Sequence, residues 1–169
     1  SNVFSQIVKK IESCAENNSY TYVIGNGGSV APASHIQNDL GSGLKRRGIL
    51  DLNIVSLCDN LSVITALAND KGHENIFYSQ LEGKIDKDDL LIEISCSGNS
   101  PNIVKAAEYA NNIGASVLGL TGFDGGKLKH MSDLNYHVQT NKNEYGLVED
   151  LHMILDHMLY TYFIEKDKK

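Results

Sequence analysis

The stretch from 90 to 101 constrains the fold more than any other part of the chain. The run Leu90-Leu91-Ile92-Glu93-Ile94 leads into Ser95-Cys96-Ser97-Gly98-Asn99-Ser100, and Pro101 then opens a helix-like segment, Asn102-Ile103-Val104-Lys105-Ala106-Ala107. A short apolar run bounded by turn residues predicts a buried strand. A helix that starts on proline leaves its first backbone N–H groups without partners inside the helix. Hydroxyls and free N–H donors therefore gather at one point, which suits an anion and above all a phosphate. A nucleotide-binding loop would need a glycine-lysine pair for polyphosphate and magnesium. Three serines in six residues suit one small phosphate ester.

Similar units recur on both sides of this stretch. Apolar residues at Val3, Phe4, Ile7, Val8, Ile11 and Ala15 predict a helix over 3–17. A strand over 20–24 ends at Gly25-Asn26-Gly27-Gly28-Ser29, and a helix follows over 30–40. Residues 41–52 read as a loop carrying Lys45-Arg46-Arg47, 53–57 as a strand, and 61–68 as a helix stopped by Asn69-Asp70-Lys71-Gly72. A shorter helix over 75–81 precedes the central strand. After the helix over 101–113 come strands over 116–120 and 134–138, separated by Thr121-Gly122-Phe123-Asp124-Gly125-Gly126, and a closing helix over 147–163.

Strands alternating with helices, with no hairpin signal between them, predict a parallel sheet covered on both faces. The expected fold is an α/β three-layer sandwich with a five-stranded parallel sheet. In such sheets ligands sit at the carboxyl ends of the strands. The glycine loop at 25–29, Asp59-Asn60, Ser95 to Ser100 and Thr121-Gly122 all fall there. Four loops thus face one crevice.

At 169 residues, 41% of them hydrophobic, the chain is long enough to bury one continuous core. A single domain over 1–169 is expected, with an N-terminal helix at 1–18 and a core at 20–163. A formal net charge of -6 argues against a general nucleic-acid binder, which needs a basic face. Cys14, Cys58 and Cys96 lack metal or redox spacing and read as reduced thiols of a cytoplasmic protein. No apolar run approaches a membrane span, and no secretory pattern opens the chain.

Gly25-Asn26-Gly27-Gly28-Ser29 invites comparison with a dinucleotide fingerprint, but Val30 stands where its third glycine belongs and no acid ends the next strand. A small phosphorylated ligand ranks above NAD. His35 and Asp39, four apart on one helix, share a face. Such a pair can bind a divalent metal, move a proton, or be only a surface contact. The closing helix carries Glu149, Asp150, His152, Asp156 and His157 among apolar residues, more ionisable groups than amphipathicity requires. Glu149 and His157 are separated by about 12 Å along the helix axis, so only side chains leaning together would meet at one ion.

Gly25-Asn26-Gly27-Gly28-Ser29 with His35, Ala68-Asn69-Asp70, Ile94 to Ser100, Leu120-Thr121-Gly122-Phe123-Asp124-Gly125-Gly126-Lys127 and His152-Met153-Ile154-Leu155-Asp156-His157 together resemble the sugar isomerase (SIS) domain, specifically the phosphoheptose isomerase family. The likeness runs in order from about Tyr20 to Phe163. It implies a flavodoxin-like fold and a homotetramer with active sites between subunits. The implied reaction is isomerisation of sedoheptulose 7-phosphate to D-glycero-D-manno-heptose 7-phosphate through an enediol, on the route to bacterial surface heptose. By position, Ser95, Ser97 and Ser100 would hold the phosphate, and Asn26, Gly27, Ser29, Asp70 and Glu149 would contact the sugar. His35, Asp39, Glu149 and His157 stand where that family places its ligands to one zinc ion. Asp39 and His157 stand where it places its base and acid.

This chain departs from the pattern at four positions. Asp39 replaces a glutamate, withdrawing the carboxylate by one methylene, and Glu149 replaces a glutamine. Gly43 stands in place of an arginine and Gly146 in place of an aspartate. These changes bear on substrate, metal and catalysis alike. The alternative is a non-catalytic SIS module, similar to the replication-initiator-associating protein, that binds a phosphosugar or a protein partner.

Overall fold

The computed structural model describes residues 2–168; positions 1 and 169 of the expected domain lie outside the described residues. Five parallel strands form one sheet in the order β2-β1-β3-β4-β5: β1 (Tyr20–Gly25), β2 (Asn53–Ser56), β3 (Leu90–Ser95), β4 (Ser116–Gly122) and β5 (Leu134–Val138). The chain reverses direction across the sheet between β1 and β3, which pair with Gly25 opposite Ile94. That is the switch point at which ligands enter sheets of this order. The glycine loop after β1 and the serine loop after β3 therefore stand side by side.

Every residue of β3 is buried, as its apolar run predicts. One face of the sheet, carrying Ile92, Leu118 and Leu120, packs under α1 (Val3–Glu16), α2 (Val30–Ile36) and α8 (Tyr145–Asp167) through Ile11, Ile36, Leu155 and Leu159. The other face is covered by α5 (Tyr78–Leu81), α6 (Pro101–Ile113) and α7 (Gly126–Met131). Local chemistry sets the helix ends. Asn2 Oδ1 accepts from Phe4 N–H at 3.0 Å to cap α1, and α6 starts on Pro101 and stops at Gly114 in the left-handed region.

Several elements differ from the sequence reading; the helix expected over 75–81 begins only at Tyr78, and the strand expected over 116–120 runs to Gly122. The expected loop at 41–52 is helical in its first part: a π-helical segment (Gln37–Gly43) continues α2 and passes into α3 (Leu44–Arg46). Leu40 and Leu44 are fully buried, and their burial holds the chain against the core where glycines and basic residues alone suggest a turn. Helix α4 (Leu61–Lys71) runs through Asn69 and Asp70 and ends at Gly72, whose φ of 90° breaks the helix. Helix α7 was not expected; the glycine pair 125–126 masks its start. Helix α8 is longer at both ends than 147–163.

Glu93 is a misfit within the core. Its side chain is fully buried on the central strand, and neither carboxylate oxygen has a hydrogen-bond partner. Burial pushes its carboxyl well above the ordinary value.

Candidate active site

The serine loop is held in place by its own backbone. Gly98 N–H donates to Ser95 Oγ at 3.1 Å, and Asn99 N–H donates to Ser97 Oγ at 3.3 Å. Gly98 carries a φ of 61°, and a Cβ there would strike the carbonyl of Gly125, so no other residue fits. Asn99 ties the loop to α7: its Oδ1 accepts from Lys127 N–H at 3.1 Å, and its Nδ2 donates to Ser97 O at 3.0 Å. Ser100 is the N-cap residue of α6, yet its hydroxyl makes no capping bond. It is left available to a ligand, beside the helix's unpaired N–H donors.

Asn26 and Asn102 join the two loops by a reciprocal amide pair at 2.8 and 2.9 Å. Between the loops lies a pocket of about 240 Å³, lined by Asn26, Gly27, Gly28, Ser29, Ser95, Cys96, Ser97, Ser100, Tyr145 and Glu149. Seven of the expected site residues thus meet in one place. Asp70 does not join them; it is exposed near the end of α4 and accepts from Asn69 Nδ2 at 2.8 Å.

The remaining expected residues form a second cluster, where α2 packs on α8. His35 Nε2 lies 3.2 Å from His157 Nε2 and 3.4 Å from Asp39 Oδ2. Asp156 is the fourth member, and one ligand atom from each of the four residues lies within 4.8 Å of the others. Two tetrahedral ligands of a zinc ion stand roughly 3.3 Å apart, given metal–ligand bonds of about 2.0–2.1 Å. The spacing of the imidazoles and Asp39 matches that figure.

Asp156 strengthens the fit. It is fully buried, its two oxygens have no hydrogen-bond partner, and burial together with the charge of Asp39 pushes its carboxyl up to about 7. A buried carboxylate pair beside two imidazoles lacks a positive partner, and a divalent cation supplies one.

Asp156 was missed in the sequence as a site residue. The signal was its place on the buried stripe of α8 with Val148, His152, Leu155, Leu159 and Phe163. Its neighbour His152 is structural: it is fully buried, its pKa is lowered to about 4 by burial, and its Nε2–H donates to Thr121 O at 3.2 Å.

Glu149, placed by resemblance among the zinc ligands, is not in the cluster. Its carboxylate lies instead against Gly28 in the serine-lined pocket, where a Cβ on residue 28 would collide with it. The two helical turns separating it from His157 account for the difference. At the other departures, Gly43 makes room for Tyr160, whose ring a Cβ would meet at 3.1 Å, and Arg47 Nε donates to the Tyr160 hydroxyl at 3.0 Å. Gly146 is exposed with nothing packed on it.

Known proteins match the chain in sequence and in fold. The SIS domain family matches residues 1–122. A phosphoheptose isomerase from Helicobacter pylori (strain P12) is 37% identical over 159 residues, covering 93% of this chain and 80% of that protein. Among solved structures, a phosphoheptose isomerase from Neisseria gonorrhoeae superposes with a TM-score of 0.84 at 28% identity, covering 96% of this chain and 85% of that one. One from Francisella tularensis gives 0.82 at 29%, covering 99% and 85%. The chain belongs to the SIS-domain family and, within it, to the phosphoheptose isomerases.

Proposed function

We propose that the protein is a ketose–aldose isomerase that interconverts sedoheptulose 7-phosphate and D-glycero-D-manno-heptose 7-phosphate. The observation that carries this reading is the pairing of a serine cradle at the β1/β3 switch point with an imidazole–carboxylate cluster on the adjoining helices α2 and α8. The relatives named above contribute the heptose. Ser95, Ser97 and Ser100 bind the phosphate by hydroxyl donors, with the first N–H groups of α6. That remote grip holds the sugar's carbonyl end in place. Asn26, Gly27 and Ser29 line its path, and Asp70 of a second subunit completes it.

His35, Asp39, Asp156 and His157 would hold one zinc ion, which when bound polarises the carbonyl and hydroxyl oxygens of the sugar. His157 gives a proton to the ketone oxygen, and Asp39 takes one from the neighbouring hydroxyl. Asp39 is short for work on carbon: its Oδ1 accepts from Asn38 Nδ2 at 2.9 Å, and its Oδ2 faces His35. Enediol formation also needs a base that reaches into the serine-lined pocket.

A homotetramer is part of this reading. Leu147, Leu151, Ile154, Met158 and Tyr162 are 37–57% exposed along one side of α8, at the spacing of a helix-packing seam. Leu151→Glu with Met158→Glu is expected to dissociate the assembly in sedimentation. The three cysteines are free and buried, which suits a reducing cytoplasm. Among the described residues no helix is long and apolar enough to cross a membrane. The deciding test is turnover of sedoheptulose 7-phosphate with zinc, run beside Asp39→Asn. Conversion by the wild type, lost in the variant, supports the isomerase; no conversion supports the binding module.

A further inference from the structure

We infer that Glu149 is the group that moves the carbon-bound proton in this chain. This rests on the isomerase reading and assigns one step within it. Among the described residues that line the serine pocket, Glu149 is the only carboxylate. Asp39 and His157 do not line that pocket; they are turned into the cluster on α2 and α8. The pocket's other ionisable side chains are Cys96 and Tyr145. The Cys96 thiol is pushed up by burial and by the charge of Glu149, which places the two groups close together and leaves the thiol a poor base.

Gly28 shows that the carboxylate's position is built into the site. Residue 28 lacks a side chain where the Glu149 carboxylate lies, and a single Cβ would occupy its space. The carboxylate thus stands over the turn between β1 and α2, facing the serines. It reaches there from α8, two helical turns before His157. A sugar phosphate anchored at Ser95, Ser97 and Ser100 therefore lies in the same pocket as Glu149.

The step balances without another reactant. Glu149 takes a proton from C1 of the ketose, and the C–H electron pair becomes the C1–C2 double bond. The carbonyl π pair passes to O2, which His157 protonates, giving the enediol. Asp39 then removes the proton from O1 as the C1 carbonyl forms, Glu149 returns a proton to C2, and the proton on Asp39 passes back to His157 by way of His35, which lies between them. Carbon chemistry and oxygen chemistry are divided between the pocket and the cluster.

The test is Glu149→Gln, which keeps the side chain's shape on a half-buried surface position. Turnover of sedoheptulose 7-phosphate should fall about 10²- to 10⁴-fold. Deuterium incorporation from D2O at the reacting carbon should fall with it, followed by NMR in the recovered sugar and product. The thermal shift produced by sedoheptulose 7-phosphate and the zinc content of the purified variant should match the wild type. Glu149→Asp should recover part of the rate. The assignment is overturned if Glu149→Gln turns over within about threefold of the wild type, if it loses its zinc, or if only KM changes. Failure of the isomerase reading is distinct, because there the wild type itself neither converts the sugar nor exchanges its proton.

Discussion

The serine cradle and the histidine–carboxylate cluster are adjacent regions with opposite polar economies. In the serine loop the backbone is held by its own side chains: Ser95 and Ser97 accept from N–H groups two or three residues on, Asn99 reaches across to Lys127, and the serine hydroxyl donors remain for a ligand. In the cluster two acids face two imidazoles, and both oxygens of Asp156 lack a partner. A preformed cradle binds with little reorganisation. A strained cluster gains most from a cation and from charge that changes during reaction. Binding should therefore reside mainly in the serines of the cradle, and rate in the cluster and in Glu149 beside it.

The largest effect should come from breaking the second half of that division. His157→Ala is expected to lower kcat about 10²- to 10⁴-fold with a small change in KM. A KM effect alone in steady-state kinetics would assign His157 to binding. The converse variant, Ser97→Ala, should raise KM about 10- to 100-fold, because a hydrogen bond to a charged group contributes about 1.5–3 kcal/mol. A kcat defect of that size without a KM change would erase the contrast. Gly28→Ala sharpens it further: displacing Glu149 should cost up to about 10²-fold in kcat while the phosphate-induced thermal shift persists.

Asp156→Asn should separate metal binding from stability. Zinc affinity by titration is expected to fall about 10- to 100-fold, while the metal-free variant melts no lower than the wild type. Equal zinc affinity would remove Asp156 from the ligand set.

The smallest effect concerns Glu93. Its folded carboxyl titrates above the ordinary value of 4.5, so the folded chain holds the proton more tightly than the unfolded one. Its stabilising share is complete below that value and is lost as pH rises through the folded pKa. Glu93→Leu should add about 1–3 kcal/mol near pH 8 and less near pH 4. Denaturation at the two pH values measures the difference, and a constant gain would show that packing rather than protonation governs it.

The same contrast explains what could be read from sequence. The cradle is local: strand, hydroxyls, glycine and proline follow one another within twelve residues, so Ser95, Ser97 and Ser100 were identifiable with the strand that carries them. The cluster depends on α2 meeting α8, more than a hundred residues later, and no spacing rule encodes that contact. The spacing of four paired His35 with Asp39 on one helix face, and His157 stood out among the ionisable groups of the closing helix; only the resemblance joined the three. Asp156 was passed over because it adjoins His157 in sequence, although it lies on the buried side of α8 and His157 on the exposed side. The resemblance gave Glu149 to both the sugar and the metal; its side chain lies in the serine-lined pocket, over Gly28, and not among the imidazoles. The π-helical turn that carries Asp39 was hidden by glycines that usually mark loops.

A crystal structure of the protein with zinc and sedoheptulose 7-phosphate tests the central claim most directly. The account predicts the phosphoryl oxygens within hydrogen-bond distance of the Ser95, Ser97 and Ser100 hydroxyls, the reacting carbons beside Glu149, and the metal on His35, Asp39, Asp156 and His157. A phosphate bound outside the serine loop, or a sugar whose carbonyl end points away from α8, would contradict it.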